Sequence, residues 1–167
     1  GNACAIKAYK LKVTPNTAPV VLFDSTLFST GFDYMYPSIA GTSQGAAVIC
    51  FGRSATTEYP NIRVAGFKHG ATTIESSTLV KATTSYTQPS GVRFGDYFCS
   101  ALSPTDIKTV WMIGEYNNGV GFWQTWAAAA KFNPHCFVTM PDITIPTSGT
   151  GTITAHVVNS DTNAAVS

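Results

Sequence analysis

Apolar residues fall in short runs broken by Gly, Pro, Asn and Ser, and nowhere does the pattern hold the three-to-four-residue period of an amphipathic helix. Residues 4–13 read as a strand that ends at the turn signal Thr14-Pro15-Asn16, and residues 20–23 as a second. Residues 24–33 look like a loop with Gly31 as its breaker. Residues 36–40 and 46–51 form a hairpin, 56–61 a polar crossing containing Pro60, and 62–67 the outer strand of that unit. A second unit is expected to open at 72–81, where β-branched residues are dense. It passes through a loop at 88–91, another hairpin and the loop Asn117-Asn118-Gly119, and closes with a strand at 123–132. The four alanines at 127–130 favour helix, but the run is too short to nucleate one and is flanked by Trp, Thr and Phe.

The pattern repeats. Segment 38–52 has a counterpart at 100–114, a constant 62 positions on, and the same two-strand hairpin can be read in both copies. A fixed period in an all-β chain implies stacked or radially arranged units, because one small sheet cannot bury its own faces. The inner strands are continuous apolar runs, whereas 4–13 mixes Lys7, Lys10 and Lys12 into its pattern, a gradient from dry interior to wet rim. The expected architecture is therefore all-β: a partial β-propeller of about two blades plus one strand of a preceding blade. It spans residues 1–136, with blade units at about 14–68 and 72–132. Residues 137–167 read as a linker and a β-forming C-terminal tail, with a strand at 149–158 and frayed small residues after it. Closed propellers typically have about four to eight blades, so such a chain would need its open flanks covered. A β-sandwich with a chance repeat is the third alternative.

Charge changes this picture little. Ten basic and nine acidic residues leave a net charge of +1, with no Lys/Arg cluster of the kind that marks nucleic-acid or anionic-membrane binding. No apolar run reaches the roughly 18–20 residues of a membrane-spanning helix. Cys4, Cys50, Cys99 and Cys136 are an even number in a Thr/Ser-rich chain of low charge, which fits a secreted or cell-surface product with disulfides. Their spacing matches no zinc motif, three pairings are open, and Cys50 and Cys99 read equally well as buried free thiols.

The run Arg93-Phe94-Gly95-Asp96-Tyr97, the turn Ser103-Pro104-Thr105-Asp106, then Val110-Trp111-Met112-Ile113-Gly114-Glu115-Tyr116 and the closing strand at 123–132 resemble the end of a family of secreted bacterial β-propellers. Those proteins carry Arg-Trp-Gly-Asp-Tyr, a hairpin ending in Glu-Tyr and a Trp-containing last strand; here Phe94 stands at the Trp. Tyr36-Pro37-Ser38-Ile39-Ala40, Phe51-Gly52-Arg53-Ser54 and Tyr59-Pro60 resemble the preceding blade. Ser103, Asp106, Thr109 and Trp111 are similar in order to the Asp-box turn of sialidase-type propellers, with shifted spacing. In such a turn Ser and Asp side chains satisfy loop donors while the aromatic packs between sheets.

That turn marks a fold and does no chemistry; a sialidase-like enzyme would need arginines to clamp a carboxylate and an acid beside an activated Tyr. Arg53, Arg63, Arg93, Asp96, Glu115 and Tyr116 are the available residues; Arg53, Arg93, Asp96, Glu115 and Tyr116 are carried forward as binding candidates, with a structural ion pair or loop staple as the competing role for Arg93 and Asp96 and for Glu115 and Tyr116. No Gly-x-Ser-x-Gly elbow accompanies His69, His135 or His156. Asp33, Asp96, Asp106 and Asp142 are scattered, which implies no resident cofactor and leaves room only for a lone loop Ca²⁺. Trp111, Trp123 and Trp126 read as core between sheets in preference to a sugar-stacking platform. The function expected is a non-catalytic extracellular structural or binding module, completed by another chain or by copies of itself, with a glycan as a further partner. The alternative is a fragment of a polysaccharide-active propeller enzyme.

Overall fold

The computed structural model describes residues 4–43, 45–85, 94–117, 119 and 123–131, and the backbone of two short strands at 136–139 and 156–159. Among the described residues every regular element is a strand, and no helix is long and apolar enough to cross a membrane. Residues 1–132 form one compact unit and 133–167 a second.

The first unit contains three antiparallel layers. β1 (Ile6–Lys12) and β2 (Val20–Leu27) make a hairpin. β3 (Phe32–Gly41), β4 (Ala47–Ala55), β5 (Glu58–Phe67) and β6 (Thr78–Lys81) make a four-stranded meander. β7 (Cys99–Leu102), β8 (Thr109–Asn117) and β9 (Trp123–Lys131) make a three-stranded one. In the second unit, β10 (Cys136–Thr139) pairs antiparallel with β11 (His156–Asn159). The linker at 140–146 and most of the tail strand at 149–158 lie outside the described residues.

Several boundaries differ from the sequence reading, each for a local reason. β2 runs on through Asp24, Ser25 and Thr26, and Asp24 is tolerated because it pairs with Lys7 across the hairpin at 3.1 Å. The polar crossing shrinks to Thr56-Thr57, since β5 already begins at Glu58. Pro60 fits inside β5 because the ladder shifts register there, between the Arg53–Asn61 and Ala55–Glu58 pairs, where no backbone donor is needed. β6 pairs with β5 and does not open the next sheet, so the second layer spans β3 to β6, and the preceding layer contributes two strands.

β4 is buried on both faces, from Ala47 to Gly52. Its Ala47, Ile49 and Phe51 pack with Phe67 and Tyr34 against Ile6, Ala8, Phe23 and Leu27 of the hairpin, where Phe23 stacks on Phe67 with centroids 4.1 Å apart. Its Val48 and Cys50 pack with Ile62 against Val110 and Met112 of the third layer.

The sense of this stacking follows from the contacts. Ascending β4, Val48 shares a small cavity with Ala130, which pairs with Val110; the Cys50 thiol points at the Ile113 carbonyl; and the Gly52–Ile62 pair lies against Gly114. β4 and β8 thus run in the same direction, and β3 faces β7, β5 faces β8 and β6 reaches β9. Direction and strand order are both conserved from layer to layer. Opposite faces of successive sheets must then meet, so Val48 corresponds in space to Trp111 and Cys50 to Ile113, an offset of 63, while Ala40 corresponds to Ala101, an offset of 61. The constant 62 of the sequence is the mean of these two. Because side chains alternate faces, that single residue decides which side chains lie between sheets.

Candidate functional site

The sequence-predicted residues do not converge. Arg53 sits at the end of β4, where its guanidinium makes a bidentate pair with Glu58 at 2.8 and 2.6 Å and stacks 4.1 Å from the Phe32 ring centroid. Glu58 also accepts from Asn61 at 2.6 Å and lies 3.7 Å from Arg63. The Arg53 hydrogen bond holds the Glu58 carboxyl below its ordinary range, and the same bond raises Arg53. Burial, and then the charge of Arg53, lowers Arg63. This cluster fastens the β4–β5 turn.

Glu115 is 1% exposed. It accepts a hydrogen bond from the Gly95 backbone N–H, and burial pushes its carboxyl up, with Asp96 adding to the shift and the Gly95 bond opposing it. The Gly95 segment is pinned from the other side. A bulge between Met35 and Ser38 puts Tyr36 at φ 54°, turning its ring onto Phe98 and against Phe94. Gly95 itself has φ 110°, and a Cβ there would fall 2.0 Å from the Tyr36 ring. Only glycine fits.

Arg53 projects from the face of β4 that meets the hairpin, whereas Glu115 projects from the face of β8 that turns away from β4. Two stacked sheets, about 10 Å apart, stand between them, and no shared cleft exists. Asp96 is exposed beside Glu115, and Tyr116 faces back toward β6 and donates to Gln124 at 2.7 Å. Arg93 lies outside the described residues.

Cys4, Cys50 and Cys99 are free thiols, with Cys50 buried and Cys4 and Cys99 exposed, which separates the pair that the sequence left alike; Cys136 is described only as backbone. Burial, and then Cys99, pushes the Cys50 thiol up to about 12. In the turn after β7, Ser103 Oγ accepts from Asp106 N at 3.2 Å, and Asp106 accepts from Lys108 N at 3.0 Å and from Thr109 Oγ1 at 2.8 Å. Among the described residues no group of three His, Cys, Asp or Glu side chains could hold a metal ion.

The tryptophans overturn their assignment to the core. Trp111 is 54% exposed, Trp126 43% and Trp123 41%. Trp111 corresponds to Val48, which is 1% exposed because the third layer covers it; within the first unit the Gly95 segment covers Glu115 on the same face of β8, but no described residue of that unit covers the part around Trp111, where Ala101, Ala127 and Ala129 are also exposed. The flat, alanine-rich surface with one large aromatic is therefore the forward end of the stack. At the opposite end the hairpin turns Tyr9, Leu11 and Leu22 outward, each about half exposed.

Sequence reasoning passed over a second cluster at the rim between layers two and three, where Lys81, Tyr116, Gln124 and Trp126 meet. No spacing rule joins β6 to β9, so only the stacking reveals it. Compared with known proteins, the chain matches no protein-family model, no curated protein and no solved structure.

Proposed function

We propose that this chain is a non-catalytic, extracellular structural or binding module that works inside a larger assembly, completed by another chain or by copies of itself. The observation that carries this reading is the pair Val48 and Trp111: the same position is 1% exposed in the second layer, which the third covers, and 54% exposed in the third layer. An uncovered apolar sheet face of this kind is a protein-interaction surface or an aggregation liability. In the finer form of the proposal the layers are an arc of a β-propeller, and same-sense stacking with opposite faces in contact supports it, since a ring of blades requires that relation.

The alternative, a polysaccharide-active enzyme fragment, is supported less. Arg53 is committed to Glu58 and faces away from Glu115, which removes the clamp that such chemistry needs.

Size-exclusion chromatography with light scattering, over a hundredfold range of concentration, tests the proposal. Wild-type chain is expected to self-associate, or to form a defined complex with chains co-purified from its source, and Trp111→Asp to weaken either association. A wild-type monomer that stays compact, binds no apolar dye and captures no other chain would overturn it.

A further inference from the structure

At one end of the strands, a cavity of about 250 Å³ lies between the hairpin and the second layer. Its apolar wall is Phe23 of β2, Phe67 of β5, which stacks on Phe23, and Leu22, which the register shift after Lys10 leaves without a partner on β1. Lys10 of β1 also lines it, as do Lys68 and His69, which follow β5, and among the described residues no carboxylate does.

The β3–β4 turn shapes the polar side. Gly45 has φ 77° there and donates its N–H to the Thr42 carbonyl at 3.0 Å. A Cβ on Gly45 would lie 2.7 Å from His69 Nδ1 and 2.8 Å from Lys10 Nζ, so the missing side chain leaves a notch on which two nitrogens converge. Lys10 gives one proton to the Gly45 carbonyl at 3.3 Å and, among the described residues, has no carboxylate partner. Its ammonium keeps donors for a ligand. Lys68 is paired with Glu75 at 3.5 Å and stands outside the ligand set.

Convergent donors beside an aromatic wall suit a ligand with one anionic end and an apolar body. We propose that this cavity binds a short amphiphilic acid, an alkyl or aryl carboxylate whose oxygens accept from Lys10 Nζ and His69 Nδ1–H and whose body lies along Leu22, Phe23 and Phe67. The anion selects the imidazole tautomer with its proton on Nδ1. At roughly 30 Å³ per water, the cavity has the volume of about eight waters, which sets the body at a chain of about that many carbons.

Equilibrium dialysis of the full chain against octanoate tests this, with butyrate, octanol and galacturonate as comparison ligands. A single saturable octanoate site per chain is expected, its affinity falling about two- to fourfold for each methylene removed and vanishing for galacturonate at the same concentration. Octanol, and octanoate on Lys10→Met or His69→Ala, should bind about fivefold or more weakly. Lys81→Met, at the rim facing the third layer, should leave binding unchanged. His69 is exposed, so its arm stands even where Lys10→Met fails to fold. No saturable binding of octanoate at millimolar concentration, equal binding of octanol or galacturonate, or binding unchanged in both variants would overturn the proposal.

Discussion

Adding one methyl group at Gly114 tests the contact that sets the stacking of layers two and three. A Cβ built there lies 2.9 Å from Ile62 Cγ2, 2.9 Å from Phe98 Cε1 and 3.1 Å from Ile62 Cγ1. Ile62 is 0% exposed, so its side chain has no solvent to swing into. Overpacking of this kind costs about 1–3 kcal/mol, while replacing a strand glycine with alanine returns roughly 0.5–1 kcal/mol of backbone entropy. Gly114→Ala should therefore lose about 1–2 kcal/mol. With a urea m-value of about 1–3 kcal/mol/M, that loss appears as a midpoint shift of roughly 0.3–2 M at unchanged slope. Ile62→Ala alone should cost about 2–5 kcal/mol. In the double variant the new methyl occupies part of the space that Ile62 vacates, so the two losses should fall short of additivity by about 1 kcal/mol. Urea denaturation followed by tryptophan fluorescence measures all three. A neutral or stabilising Gly114→Ala, or additivity within about 0.5 kcal/mol, would refute the packing of Ile62 on Gly114 and with it the derived sense of the stack.

Glu115 offers a test by pH. Its folded pKa is raised, so the native state holds the proton more tightly than the unfolded chain; its contribution to stability is full below the ordinary value of 4.5 and is lost as pH rises through the folded value. Glu115→Gln should keep the Gly95 hydrogen bond, flatten the urea midpoint between pH 4 and 7 and match or exceed wild type at neutral pH; an unchanged pH slope would contradict this. Glu58 has the opposite sign. Its carboxyl is held low, so its contribution is present above 4.5 and is lost as pH falls through the folded value. Glu58→Ala leaves Arg53 and Arg63 without their shared partner and should cost about 2 kcal/mol at pH 7, whereas a loss under 0.5 kcal/mol would show the cluster to be incidental. Thiol labelling of native protein followed by peptide mass spectrometry should modify Cys4 and Cys99 quickly and Cys50 only on unfolding, because Cys50 is buried and its thiol is pushed up to about 12; rapid native labelling of Cys50 would place it outside the core.

The all-β class was readable because the apolar runs are short and punctuated, and the strand over the alanines at 127–130 was readable because its flanks forbid a helix. Both hairpins of the repeat were found from the sequence; their register, with Ser38 opposite Cys50 and Ser100 opposite Met112, comes from the structure. What escaped was anything that depends on partners distant in sequence. Asp24 looked like a loop residue until Lys7 stood opposite it, and β6 looked like the start of a unit because nothing local says that it pairs with β5. The faces of the strands were hidden by one residue of offset, which is why Trp111 read as buried. For the site, Arg53 was read as a binding candidate, and neither its role in the β4–β5 turn nor its partner Glu58 was foreseen. The Lys81 and Trp126 cluster carried no signal in spacing, since it exists only where two sheets overlap.

Oxidative footprinting by mass spectrometry, on the dilute chain and on its assembled form, addresses the open end of the stack most directly. Trp111 should be oxidised rapidly in the dilute chain and protected in the assembly, with Phe51, which lies between two layers, protected in both. Protection of Trp111 in the dilute monomer, or its equal oxidation in the assembly, would contradict the account.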